Sequence, residues 1–120
     1  MTIKRINTRN LPHRGDSVTW NGCVHLSGIM PSDETASIAE QTADVLREIE
    51  AQLANAGTSK AALISATVWL ADLDRDFEGF NAVWRGWVDR DNLPARSCVQ
   101  AKLHGKGLLE IAAIAATPPA

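Results

Sequence analysis

Two charged side chains lie among uncharged neighbours in strand-like segments near the end of the chain. Arg96 lies in residues 95–103, and Glu110 lies among the apolar residues of 108–116. A partly buried charge without a partner is costly, so each side chain needs a partner or a ligand. A guanidinium can bind a carboxylate through two parallel hydrogen bonds, and a carboxylate can move a proton or orient a water. The pair predicts a site for a small anionic substrate.

The spacing leaves open whether the two residues contact each other. If the two segments form a hairpin around residues 104–107, Arg96 faces roughly position 115 and Glu110 faces roughly position 101. A direct ion pair is then not guaranteed. Either side chain could instead pair with other groups or reach solvent.

Other chemically active residue types give weaker patterns. Asp72, Asp74 and Asp76 alternate, but they lack the glycine and terminal glutamate of a calcium loop and fit a strand end and helix cap better. The three histidines are scattered and match no metal-binding or catalytic-triad pattern. Neither a glycine-rich phosphate loop nor a serine elbow is present. The sequence therefore predicts no metal, nucleotide or serine-hydrolase site.

The composition limits the class of protein. A chain of 120 residues fits one domain spanning 1–120, and 45% hydrophobic with 22% charged residues is typical of a globular fold. A net charge of −2 without any Lys/Arg run argues against nucleic-acid binding. No apolar stretch reaches the ~18 residues of a membrane span. Cys23 and Cys98 are too few for a disulfide scaffold. We expect a cytoplasmic protein without nucleic-acid or membrane partners.

The first elements that must position the site are strands. Asn21 and Gly22 separate two runs of apolar and β-branched residues, which predicts a hairpin over 17–26. Ile3 and Ile6 indicate a short strand before it.

Two helices and three strands follow. A helix is predicted from a cap at Ser32 or Asp33 to the terminating Gly57, and a second one from the Asp72 region to residue 88. Between them, alternation predicts a strand over 62–70. By this alternation, one face of the strand carries Ala62, Ile64, Ala66, Val68 and Leu70. With strands at 95–103 and 108–116, this order predicts a mixed sheet with two helices on one face, leaving the other face for a partner subunit.

Six short motifs in one consistent order resemble a known family. The segments LPARSCV (93–99) and LLEIAAIA (108–115) are similar to the C-terminal signature of the RidA (YjgF-like) family of enamine/imine deaminases. The other matching motifs are LSG (26–28), QT (41–42), ATVWL (66–70) and FNAVW (80–84). The opening MTIKRI and the segment WRGWV (84–88) resemble its YoaB-like branch most.

The resemblance implies a fold, an assembly and an activity. The fold would be a chorismate-mutase-like α/β (α+β) fold, assembled as a homotrimer with clefts between subunits. The reaction would be hydrolysis of 2-aminoacrylate, 2-iminopropionate and similar compounds to 2-keto acids and ammonia, without a metal or organic cofactor. Arg96 would bind the substrate carboxylate and Glu110 would position the attacking water. The supporting positions in or near the cleft would be Ser27, Gly28, Asn81 and Cys98.

The chain also departs from RidA proper. It has no tyrosine where the family carries a Gly-Pro-Tyr, and Ile29 and Ala112 stand at positions that usually hold Gln and Glu. The altered pocket could change the preferred imine, with Arg14 and Asp16 reshaping its mouth. An alternative function is a non-catalytic trimeric binder of small carboxylate metabolites. A ribonuclease, another activity reported in the family, fits the acidic net charge least.

Overall fold

The chain folds into one six-stranded sheet with two α-helices on one of its faces, as predicted. In the computed structural model, which describes residues 2–118, the predicted order of elements is confirmed. The strands are β1 (Lys4–Ile6), β2 (Ser17–Trp20), β3 (Cys23–Leu26), β4 (Leu63–Leu70), β5 (Ala95–Gln100) and β6 (Leu109–Ala116). The helices are α1 (Ile38–Asn55) and α2 (Leu73–Trp87), with a short 3₁₀ helix (Lys60–Ala62) before β4.

The strand order β1-β2-β3-β6-β4-β5 places β4 between β5 and β6. β4 pairs with β5 in parallel and with β6 antiparallel, whereas β5 and β6 do not neighbour each other. The hairpin of 95–103 with 108–116 considered from the sequence is therefore wrong. The helix α2 connects β4 to β5, so that these two strands run parallel. The last strand, β6, then pairs with both β3 and β4 and lies between them.

The two faces of the sheet differ in burial. Alternate residues of the central strands face α1 and α2 and form the core with them. The core-facing strand residues include Val24, Leu26, Ala66, Val68, Leu70, Leu109, Ile111, Ala113 and Ala115. On the other face Trp69 and Ile114 are half-buried, and Val99 is exposed.

Most predicted turns and caps are confirmed. Asn21 and Gly22 form the β2–β3 turn with positive φ values of 54° and 79°. Gly57 follows α1 with φ +82°. Asp72 caps α2, because its side chain accepts a hydrogen bond from the Arg75 backbone N–H at 3.1 Å.

The start of α1 differs from the prediction. Ser37 is the N-cap, and its hydroxyl accepts a hydrogen bond from the Glu40 N–H at 3.2 Å. Ser32 is not a cap, since its N–H and hydroxyl both donate to Asp44. Asp33 instead accepts hydrogen bonds from Thr35. Several residues near this helix could cap it, and only the path of the preceding loop selects Ser37.

The predicted strand face of β4 is wrong at Ala62, which ends the 3₁₀ helix, and at Ile64. Ile64 is 46% exposed, and Leu63 is 7% exposed. A register shift between Leu63 and Ser65 breaks the alternation with β6 at this point. The alternation is regular from Ala66 onwards, so the prediction holds for the rest of the strand.

The loop between β1 and β2 is held by a buried carboxylate. Oδ2 of Asp16 accepts hydrogen bonds from the hydroxyl and the backbone N–H of Thr8, at 2.5 and 2.8 Å. The Asp16 backbone donates to the Ile6 carbonyl and accepts from the Ser27 N–H, at 2.7 and 3.0 Å. The hydrogen bonds from Thr8, above all that of its hydroxyl, lower the pKa of Asp16, whereas burial opposes this shift. The loop is thereby fixed to the residues that follow β3.

Replacing Ser37 with Ala tests the helix cap. We expect S37A to lower the free energy of unfolding by about 1 kcal/mol, because the Glu40 N–H loses its acceptor. Urea denaturation measures the change. Ser59 is the matched control, since it caps the 3₁₀ helix without a side-chain hydrogen bond. Equal losses in S37A and S59A would contradict the assignment.

Replacing Thr8 with Val tests the Asp16 contact. At pH 7 we expect the free energy of unfolding to fall by about 1 kcal/mol, because a charge-assisted hydrogen bond is lost. A carboxyl whose native pKa is lowered stabilises the fold above its unfolded pKa of about 3.9, and this contribution disappears as the pH falls through the native pKa. The difference between T8V and wild type should therefore shrink on acidification.

Urea denaturation of T8V and wild type at a series of acidic pH values makes this measurement. T19V is the control, because the structure shows no hydrogen-bond partner for the Thr19 hydroxyl within residues 2–118. A stability difference for T8V that does not change with pH would refute the role of Asp16.

Candidate functional site

Arg96 projects from β5 towards α2, on the sheet face that the helices cover. Its strand position pairs with Ala66, which is buried on that face. Nη1 of Arg96 donates to Oδ1 of Asn81 at 2.7 Å. The guanidinium carbon lies 5.6 and 5.2 Å from the ring centroids of Phe80 and Trp84. The electron-rich faces of these rings favour a cation at this distance. Three side chains of α2 thus hold the guanidinium in position.

The charge of Arg96 has no counter-ion in the part of the chain that is described. No Asp or Glu within residues 2–118 comes within salt-bridge distance of its guanidinium. Asn81 is a neutral acceptor and occupies only one of the five N–H donors of the guanidinium. Arg96 can therefore bind an anion without first giving up an ion pair.

Cys98 lies two residues further along β5, on the same face as Arg96. Its position pairs with Val68, and its side chain is half-buried against the core. Burial raises the pKa of the thiol, and the nearby charge of Arg96 acts in the opposite direction. A thiol with a raised pKa is protonated at neutral pH and is a poor nucleophile. This environment fits a packing role for the side chain.

Glu110 projects from the other face of the sheet. In the β4–β6 pairing Glu110 lies opposite Trp69, and the next pair, Val68 and Ile111, faces the core. Because neighbouring residues of a strand point to opposite faces, Glu110 points away from the helices. The carboxylate lies directly against Gly28, where any Cβ would collide with Oε2. Position 28 must therefore lack a side chain for Glu110 to adopt this position.

A cavity of about 630 Å³ opens beside Glu110 and Gly28. The other charged residues that line it are Arg9, Arg14, Asp44 and Glu48. Arg14 was expected at the mouth of the site, whereas Arg9 was not. Arg9 lies in a loop and carries no periodic or motif signal that would have placed it there.

Ser27 connects this cavity to the β1–β2 loop. Its hydroxyl donates to the Gly15 carbonyl at 2.6 Å, and its N–H donates to the Asp16 carbonyl at 3.0 Å. The hydroxyl is therefore engaged in a structural hydrogen bond. Ser27 fixes the loop that carries Arg14 next to Gly28.

The structure divides the predicted site residues into two groups. One group is Asn81, Arg96 and Cys98, on the helix-covered face. The other is Ser27, Gly28 and Glu110, which meet at the cavity or its supporting loop. Arg96 and Glu110 project from opposite faces of one sheet, with β4 between their strands. A substrate of a few atoms cannot contact both side chains within one copy of the chain.

Within residues 2–118, no group of three His, Cys, Asp or Glu side chains is arranged to hold a metal ion. None of the described helices is long and apolar enough to cross a membrane.

The chain is similar to known proteins along nearly its whole length. Residues 11–117 match the family model described as endoribonuclease L-PSP. The RutC family protein YoaB of Escherichia coli strain K12 is 37% identical over 117 residues, which cover 97% of this chain and 99% of that protein.

Solved structures agree with this assignment. A member of the YjgF protein family from Neisseria meningitidis has a TM-score of 0.93 and 37% identity, covering 100% of this chain and 98% of that one. A putative translation initiation inhibitor from Salmonella typhimurium has a TM-score of 0.88 and 34% identity, covering 97% and 98%. The chain therefore belongs to the YjgF/RidA family, as the motifs around Arg96 and Glu110 predicted.

Proposed function

We propose that the protein hydrolyses reactive enamines and imines of small 2-keto acids, releasing the keto acid and ammonia. The observation that carries this proposal is the guanidinium of Arg96, which is positioned by Asn81, Phe80 and Trp84 without a counter-ion among residues 2–118. Family membership supports the same class of activity.

Arg96 binds the substrate carboxylate in this mechanism. Its remaining N–H donors match the two carboxylate oxygens, and the ring faces of Phe80 and Trp84 keep the guanidinium plane in place. Fixing one end of the substrate orients the C=N carbon for attack and removes part of the entropic barrier.

Glu110 handles the water. Its carboxylate accepts a proton as the water oxygen adds to the imine carbon, while the imine nitrogen is protonated. Glu110 returns this proton to the amino group of the resulting carbinolamine. The C–N bond then breaks as the hydroxyl loses its proton to the carboxylate, so that ammonia leaves and the carbonyl of the keto acid forms. An enamine enters the same sequence after protonation at carbon gives the imine. These steps need no oxidant or reductant.

The separation of Arg96 and Glu110 favours a site between two copies of the chain. Arg96 of one copy and Glu110 of its neighbour then contact the same substrate, as in a ring with head-to-tail contacts. The helix-free face also carries apolar side chains that a neighbour would cover, including Trp69, Val99 and Ile114. The homotrimer implied by the family resemblance provides this arrangement.

One feature favours the alternative of a non-catalytic carboxylate binder. Ala112 lies two residues beyond Glu110 on the same strand face, where the family usually carries a second glutamate. The retained Glu110 and its close contact with Gly28 favour the enzyme. Endoribonuclease activity finds less support, because Asp44, Glu48 and Glu110 line the cavity and the net charge is −2.

Substitution of Arg96 and Glu110 tests the reaction. The substrate is 2-iminopropionate, generated by an amino-acid oxidase, and its loss is followed by trapping with semicarbazide. We expect R96A to lower kcat/KM about 100-fold or more through lost carboxylate binding. E110Q should lower kcat about 100-fold, because glutamine cannot take the proton.

R90A and E40Q, at exposed positions, are the matched controls. Wild-type activity in R96A would refute the proposal, and binding without turnover in wild type would support the binder.

Mixing the two inactive variants tests the shared site. Subunits of R96A and E110Q are unfolded together and refolded in equal amounts. If each site takes one residue from each neighbour, random mixing rebuilds about one quarter of the sites. Each variant refolded alone is the control. If a refolded mixture has the mass of the assembled protein but regains no activity, the site is not shared between subunits.

A further inference from the structure

The cavity beside Glu110 holds a positive charge that the proposed reaction does not use. Arg14 is half-buried at this cavity, and no carboxylate lies within salt-bridge distance of it in residues 2–118. Arg9, the other cation, already faces Asp16 Oδ1 at 3.9 Å. Arg14 thus forms no salt bridge within residues 2–118, although its charge, like that of Arg9, contributes to lowering the pKa of Asp16.

The carboxylates of the cavity are engaged elsewhere or are needed for the reaction. Asp44 accepts hydrogen bonds from the N–H and hydroxyl of Ser32 and lies 3.6 Å from Arg47. Glu48 accepts a hydrogen bond from Gln52 at 2.7 Å. Glu110 handles the water in the proposed function.

The backbone that carries Arg14 is fixed relative to Glu110. The next residue, Gly15, accepts the hydrogen bond from the Ser27 hydroxyl, and Ser27 directly precedes Gly28, against which the Glu110 carboxylate lies. A cation on a fixed loop loses little freedom when it binds an anion, so this placement suits ligand recognition.

We propose that Arg14 binds a second carboxylate, located on the side chain of the substrate. The preferred substrates are then imines of dicarboxylic amino acids with four or five carbons, and Arg14 is a specificity-determining residue. This inference rests on the proposed function. Arg96 of one copy binds the α-carboxylate, Glu110 of the neighbour faces the C=N carbon, and the substrate side chain extends into the cavity that Arg14 lines.

Comparing two imines tests the inference. The dicarboxylic imine is generated from aspartate by an oxidase that acts on acidic amino acids, and 2-iminopropionate is generated from alanine. Hydrolysis of each is measured for wild type, R14Q, R14K and R90Q. We expect the wild type to prefer the dicarboxylic imine. R14Q should lower the ratio of the two kcat/KM values roughly 10- to 100-fold, mainly through KM, because one charge-assisted interaction is lost.

The remaining variants separate charge recognition from structural effects. R14K should retain part of the preference, because lysine keeps the charge but cannot bind a carboxylate through two parallel bonds. R90Q removes an exposed arginine and should keep the wild-type ratio. Equal losses for both imines in R14Q and R14K would indicate a structural role and overturn the inference.

The two proposals can fail separately. A wild-type protein that hydrolyses 2-iminopropionate as well as the dicarboxylic imine, or better, overturns the role of Arg14 and leaves the proposed function standing. A wild-type protein that hydrolyses neither imine overturns the proposed function, and the preference falls with it.

Discussion

The position of β4 between β5 and β6 is the constraint on which the candidate site depends. β4 pairs with β5 on one side and with β6 on the other, and the strand pleat assigns each residue of these strands to one face. Arg96 shares its face with Ala66, whereas Glu110 shares the opposite face with Trp69. A shift of either pairing by one residue would reverse these orientations. The sheet register therefore decides that the two charges act from different sides.

The helix-covered face of the sheet stabilises a partly buried cation, Arg96, without an acidic partner. An ion pair would hold Arg96 in place but would compete with an anionic substrate. The ring faces of Phe80 and Trp84 and the neutral Oδ1 of Asn81 hold it instead. Such contacts favour a cation while leaving its charge uncompensated. The α2 segment that supplies these side chains is thus a support for the site as well as part of the core.

The other side of the sheet combines a carboxylate with a fixed loop. Gly28 leaves room for Glu110, and Ser27 joins Gly28 to the loop that carries Arg14. The buried Asp16 completes this connection through Thr8 and the Ile6 carbonyl. A few polar contacts thereby define the shape and charge of the cavity.

Much of the fold could be predicted because its signals are local. Asn21 and Gly22 specify the tight hairpin through their positive φ angles, and Asp72 specifies the start of α2 through a contact three residues away. Alternation and helical periodicity identified the remaining elements. The N-cap role of Ser37 and the exposure of Ile64 were not predicted. Both depend on distant parts of the chain, through the loop path before α1 and the irregular β4–β6 pairing.

Most of the elements, the family motifs and the two isolated charges could be predicted, because each is a pattern within a short segment of the chain. The fold was needed to establish that β4 lies between β5 and β6, that Arg96 and Glu110 face opposite ways, and that Arg14 and Glu110 line one cavity. The physical reason is that strand order follows from which apolar faces can be buried together. That choice involves residues far apart in the chain and leaves no signal within any one segment.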